Sequence, residues 1–70
     1  MEDKRERFVR LAEKRVNNAI RQIELIGNLS NKNNYSYTEQ DVKKIIKSLK
    51  SSLSKIKNKF NLDGETKFEL

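Results

Sequence analysis

The chain has 70 residues, of which 34% are apolar and 37% charged, whereas an average globular domain has about 45–50% and about 25%. Such a chain can bury a seam of side chains but not a layered body with an internal cavity. It contains no Cys, His, Trp or Pro, which excludes thiol nucleophiles, Ser-His triads and Cys/His zinc sites. We therefore expect a non-enzymatic protein without cofactor or metal.

No apolar run approaches the roughly 18–20 residues that cross a bilayer, and the charged first residues do not resemble a signal peptide. The lack of cysteine gives no sign of an oxidising compartment. These features predict a cytoplasmic protein without a membrane partner.

The first predicted helix covers about 3–26, where neither Pro nor Gly interrupts the chain. Its apolar residues recur at alternating steps of 3 and 4, which is the spacing of a heptad seam. Gly27 follows the last of them, at the place where helices commonly end in a left-handed residue. Glu6 and Arg10 are spaced for a local ion pair. The first seam consists of Val9, Ala12, Val16, Ala19, Ile23 and Ile26.

The second predicted helix covers about 38–60 and has the same spacing. Thr38 is a good N-cap residue, and Asp41 is placed to complete a capping box. Tyr37 and Val42 are placed for a hydrophobic staple across the same turn. The second seam consists of Val42, Ile46, Leu49, Leu53, Ile56 and Phe60.

The two helices are connected by residues 27–37, which are rich in Asn and longer than most hairpin connections. This composition predicts a folded loop. The tail, 61–70, contains a turn signal at Asp63-Gly64, and its apolar residues either dock on the helices or fray.

These elements predict an all-α fold, an antiparallel helical hairpin forming a single domain over 1–70. A lone hairpin of this size buries little apolar surface. The first helix also carries more apolar width than one partner covers. We therefore expect a homodimer in the form of a four-helix bundle; the alternative is a monomer whose loop tyrosines and tail cover that surface.

The formal charge is +6, and its distribution points to a binding surface. The second helix carries seven lysines between Val42 and Phe60 and no acid there, which suits phosphates or an acidic protein surface. The alternative is ordinary solvation of an exposed face by a good helix former. Arg15 lies beside the first seam as a contact or boundary residue, and Tyr35 in the loop could anchor a partner. The candidate partner-binding residues are Lys43, Lys47, Lys50, Lys44, Tyr35 and Arg15.

Three stretches carry a family resemblance: Arg7 to Ile20, the Gly27-Asn28-Leu29-Ser30-Asn31 loop with Ile26 before it, and Tyr35 to Val42. Over residues 7–60 the chain resembles short, mostly uncharacterised helical proteins of bacterial chromosomes, prophages and other mobile elements. The resemblance implies a helical hairpin and supplies no functional residues. It also implies a setting in which small proteins often bind and block host or defence machinery.

The sequence thus predicts a small basic interaction protein with a protein or nucleoprotein partner. One form of it is a phage or mobile-element inhibitor of a nucleic-acid-binding defence or host protein. The alternative is a non-specific nucleic-acid-binding protein that contacts phosphates through the lysine face of the second helix. Base reading is not expected, because that face offers no Arg, Asn or Gln between Val42 and Ile56.

Overall fold

The computed structural model describes residues 1–60. Within them the chain forms two α-helices, α1 (Lys4–Gly27) and α2 (Glu39–Lys59), with a 3₁₀ turn at Asn28–Ser30 and no strand. The prediction of an all-helical fold with two helices is confirmed. The tail, with its expected Asp63-Gly64 turn, lies outside the described residues.

The chain divides into two compact units. The first, Met1–Ser36, contains α1, the 3₁₀ turn and most of the connection. The second begins at Tyr37 and contains α2. Each unit therefore presents one long amphipathic helix.

The start of α1 is fixed by acidic side chains. Asp3 is the N-cap residue, and its Oδ1 accepts a hydrogen bond from the Glu6 backbone N–H at 2.7 Å, which satisfies one of the free donors of the first turn. Arg10 donates to Glu2 through Nε at 2.6 Å and through Nη2 at 2.9 Å. The expected pairing of Arg10 with Glu6 is wrong, because the guanidinium reaches back beyond the helix start.

The hydrogen bonds from Arg10 lower the pKa of Glu2 below its ordinary value, and they raise that of Arg10. Glu2 therefore stays ionised at a lower pH than a free glutamate, and the contribution of the pair is lost as pH falls through that lowered pKa. Because the Arg10 side chain is exposed and that of Glu2 is only half-buried, water screens the pair and it contributes little to stability.

The end of α1 differs from the prediction at Gly27. This residue has φ −59° and ψ −31°, which is right-handed helical geometry, so the expected left-handed ending is wrong. The helix passes through Gly27 and tightens into the 3₁₀ turn, where the Asn28 N–H reaches the carbonyl of Glu24. The hydrogen bonds of a tightened last turn satisfy carbonyl groups at the end of the helix. In a left-handed ending, the residues after the helix would make those hydrogen bonds instead.

The connection is held by Asn31. Its carbonyl accepts from the backbone N–H groups of Asn34 at 3.2 Å and Tyr35 at 3.0 Å. Its side-chain oxygen accepts from the Asn33 N–H at 2.9 Å, which is the self-bonding turn that favours Asn in loops. The Asn-rich segment is thus a folded turn, as its composition predicts.

The start of α2 confirms the predicted capping box. The Thr38 hydroxyl accepts from the Asp41 N–H at 3.1 Å, and the Asp41 carboxylate accepts from the Thr38 N–H at 2.9 Å. Glu39 and Asp41 lie at the positive end of the helix dipole, and Lys57 and Lys59 lie in the last turn. The charged residues at both ends of α2 therefore have the sign that the helix dipole favours there.

Neither seam is buried within its own unit. Among residues 1–60 no side chain is buried, although Val9, Ala12, Ile26 and Leu49 are half-buried. Val16 in the first seam is 55% exposed and Leu53 in the second is 59% exposed. Neither described helix is long and apolar enough to span a bilayer. Each unit by itself therefore leaves the apolar row of its helix without cover.

The capping box gives a first prediction. Thr38→Ala removes one half of the box and should lower the free energy of unfolding by about 1 kcal/mol. Thermal unfolding followed by circular dichroism at one fixed protein concentration measures it. Ser36→Ala, in the connection just before the cap, is the matched control and should change little. An unaltered melting midpoint for Thr38→Ala would show that the box does not stabilise α2.

Gly27 gives a second prediction. A Cβ added there meets nothing within 4 Å, and the backbone is already helical, so Gly27→Ala should raise stability by about 0.5 kcal/mol. The same melting experiment tests it. A lowered midpoint would mean that the residue needs the left-handed conformation after all.

Candidate functional site

Three of the predicted lysines line one surface groove of α2. Lys43, Lys47 and Lys50, here called the lysine strip, lie within about 60° of one another around a helix that turns about 100° per residue. Val42 and Ile46 of the second seam complete the lining, and they are 41% and 45% exposed. In this groove the side chains of Val42 and Ile46, here called the apolar floor, therefore lie next to the ammonium groups of the lysine strip.

Acidic and basic residues occupy different parts of α2. Its acidic residues, Glu39 and Asp41, are confined to the first turn, where Asp41 is occupied in the capping box. From Val42 onward every charged residue of the helix is a lysine, and the strip lies in the first half of that stretch. No carboxylate on the same helix beyond the first turn therefore offsets its potential.

Lys44 lies outside this groove. It is exposed and is turned about 100° from Lys43 around the helix axis, toward the face opposite the second seam. It adds to the positive potential of α2 without contacting the apolar floor. An ammonium on a lysine side chain is a flexible point charge.

Tyr35 belongs to the first unit and lies in the folded connection. Its backbone N–H is bound to the Asn31 carbonyl at 3.0 Å, and the side chain is 49% exposed. The turn therefore fixes the main chain while the ring remains accessible. Tyr37, two residues on, is half-buried just before the N-cap of α2, and the staple with Val42 stays a prediction.

Arg15 is exposed on α1, beside the first seam. It belongs to a second heptad row, which sequence reasoning traced only in part. Phe8 and Leu25 at the ends of that row are 49% and 51% exposed. Phe8 and Leu25 lie in line with Arg15 at alternating steps of 3 and 4 residues, and this spacing could have identified them from the sequence. The row consists of Phe8, Leu11, Arg15, Asn18, Gln22 and Leu25.

The chemistry available to these surfaces is recognition. Lysine ammonium groups bind phosphate and carboxylate oxygens, and the adjacent Val42 and Ile46 offer apolar contact. Within residues 1–60 no group of three His, Cys, Asp or Glu side chains is placed to hold a metal ion.

Comparison with known proteins adds no assignment: no protein-family model, curated protein or solved structure matches this chain. The case for function therefore depends on the residues themselves.

Proposed function

We propose that this chain is a non-enzymatic, cytoplasmic interaction protein that docks through the lysine strip of α2 on an acidic protein surface or a nucleoprotein. The observation that carries the proposal is the groove in which Lys43, Lys47 and Lys50 adjoin exposed Val42 and Ile46. Protein interfaces combine an apolar centre with a polar rim. A purely solvating set of lysines has no need of an accessible apolar floor.

The apolar floor also favours a protein partner over bare nucleic acid. A phosphate backbone offers charge but little apolar surface, so Val42 and Ile46 would stay exposed against it. The resemblance to mobile-element proteins suggests the kind of partner. It would be a nucleic-acid-binding defence or host protein, whose target or groove the chain would block.

Direct binding of nucleic acid is the second candidate, and the uninterrupted lysines of α2 favour it. Contacts would be to phosphates rather than bases, because the strip has no Arg, Asn or Gln. Affinity for random duplex DNA would then fall steeply with salt, by a log–log slope of about −0.9 per neutralised phosphate.

In the absence of a partner, the assembly that would cover the seams is a four-helix bundle of two copies. Two apolar seams on two helices match the geometry of such bundles, in which every helix covers part of its neighbours. Because Val42 and Ile46 belong to the second seam, a partner that docks on the groove would take the place of the second copy there.

Neutralising the strip tests its role. In K43Q/K47Q/K50Q the formal charge falls from +6 to +3, while Gln keeps nearly the same helix propensity as Lys. Affinity for the partner captured from native host extract, measured by surface plasmon resonance, should fall by about tenfold or more. If duplex DNA is the ligand instead, its salt slope should become shallower by about 2.7.

The matched control is K55Q/K57Q/K59Q, which removes the same charge from the other end of α2. It should weaken binding much less than the strip variant. Because the two variants have the same net charge, any difference in affinity between them comes from the position of the lysines. Equal losses in both variants would show that net charge matters and the strip does not. Unchanged affinity in both would refute docking through α2.

A further inference from the structure

The side of α1 away from its seam carries a patch of five polar side chains centred on Asn18. On a helix surface, the residues three and four positions away from Asn18 are its neighbours. All five side chains are exposed, and together they extend over about 12 Å of the helix axis at about 1.5 Å per residue. The Asn18 patch consists of Lys14, Arg15, Asn18, Arg21 and Gln22.

The patch stays accessible whichever element covers the first seam. At about 100° per residue, Asn18 lies about 130° around the axis of α1 from the middle of that seam. A helix that packs on the seam, from this chain or from another, therefore lies on the other side of α1. Arg15 is the member nearest to the seam, and a side chain of its length extends past a neighbouring helix into water.

The patch carries three positive charges, and no carboxylate lies among them. The glutamates of α1 are all at least about 120° from Asn18 around the helix axis. Within residues 1–60 none of the five side chains forms a hydrogen bond or an ion pair, whereas Arg10 is held by Glu2. The donors and acceptors of the patch are therefore available to a ligand. The glutamates concerned are Glu6, Glu13 and Glu24.

The residue types of the patch suit base edges as well as phosphates. An arginine guanidinium matches the two acceptors on the major-groove edge of guanine, and an Asn or Gln amide matches the adjacent donor and acceptor of adenine. A surface that binds only phosphate or carboxylate needs cations alone, as in the lysine strip of α2. The amides of Asn18 and Gln22 are the part of the patch that such a surface does not require.

We propose that the Asn18 patch recognises base edges in the major groove of duplex DNA, with adenine and guanine at the contacted positions. Asn18, at the centre, faces an adenine edge. Arg15 and Arg21 lie about 60° to either side of it around the axis, so each is placed to reach a guanine of a different strand. The proposal concerns α1 alone and does not depend on the docking proposed for α2.

The dimensions of α1 fit this groove. A helix is about 10–12 Å in diameter and the major groove is about 12 Å wide. The patch, about 12 Å long, spans three to four base pairs at about 3.4 Å each. Leu11 and Leu25 lie seven residues to either side of Asn18, and Leu25 is 51% exposed. An apolar side chain at the end of the patch suits the methyl group of thymine.

Other nucleic acids fit the patch less well. The major groove of an RNA duplex is too narrow for a helix to enter. Proteins that bind single strands stack the bases on aromatic side chains, and none of the five residues is aromatic. Duplex DNA is therefore the nucleic acid that the patch favours.

Selection from a library of random DNA duplexes tests whether the full-length chain prefers a sequence. It should enrich a common site, and fluorescence anisotropy should then give an affinity at least about tenfold higher for the enriched duplex than for a shuffled duplex of the same composition. An RNA duplex of the enriched sequence should bind no better than the shuffled DNA. If no site were enriched, or if the RNA duplex bound as tightly as the enriched DNA, the proposal would be overturned.

A comparison of N18A with N17A tests the central amide. Each variant removes one exposed amide without changing the charge, but Asn17 lies about 100° from Asn18 around the helix axis. N18A should lower the preference for the enriched duplex by about fivefold or more, because one base contact is lost. N17A should keep the wild-type preference, and circular dichroism should show both variants fully helical. Equal effects of the two substitutions, or full preference in N18A, would contradict recognition by the patch.

The double variant R15K/R21K tests the guanidinium groups at constant charge. Lys keeps nearly the same helix propensity as Arg but lacks the planar fork that pairs with guanine. The preference for the enriched duplex should fall by about fivefold or more, while the salt slope stays the same. The matched control R5K/R7K, at the start of α1, should keep the preference. A full preference in R15K/R21K would overturn the proposal.

The strip variant K43Q/K47Q/K50Q separates this proposal from docking through α2. Its Asn18 patch is intact, so the ratio of its affinities for the enriched and shuffled duplexes should equal that of the wild type. A lost ratio in the strip variant, together with an unchanged ratio in N18A, would assign sequence recognition to α2 and overturn the proposal.

Discussion

Both helices carry a full row of apolar side chains on an otherwise heavily charged surface, and the rest of the structure depends on how those rows are kept from water. Burial of apolar area is worth about 25 cal/mol per Å². The caps at Asp3 and Thr38 define where each helix begins, but local caps contribute only about 1 kcal/mol each. Most of the stability of a helix in a protein comes from packing of its amphipathic face rather than from propensity, so packing of the seams has to supply it here.

Apolar seams are poor at choosing partners, since any seam of similar width fits another. Selection depends on the charges alongside: Glu13 borders the first seam and Lys50 borders the second, so packing like seams together would bring like charges together. Their energy is small because they lie in water. Their value is in excluding other pairings, each of which would place like charges together along the helix.

Much of the fold could be predicted from the sequence because its determinants are local. The heptad spacing gave both helices, and Thr38 with Asp41 gave the capping box that the structure contains. Gly27 was misjudged because glycine permits a left-handed ending without requiring one. Arg10 was assigned to the nearest carboxylate on the helix, while its side chain is long enough to reach Glu2 before the helix begins.

The candidate site could be predicted less well. The lysines of α2 were found from their number, yet their division between Lys47 on the outer face and Lys50 beside the seam follows only from heptad position. The apolar floor formed by Val42 and Ile46 could not be predicted from the sequence, because their heptad spacing predicts that both residues belong to a buried core. The partner of these lysines is not encoded in their side chains, since ammonium groups bind phosphate and carboxylate alike.

The central proposal for the seams is that two copies of the chain bury them in one four-helix bundle, and the mass of the wild-type protein in solution tests it most directly. Sedimentation equilibrium over a hundredfold range of concentration should give twice the chain mass of 8.3 kDa at the upper end, with dissociation on dilution. A mass of one chain throughout, together with a full helical signal in circular dichroism, would contradict the account.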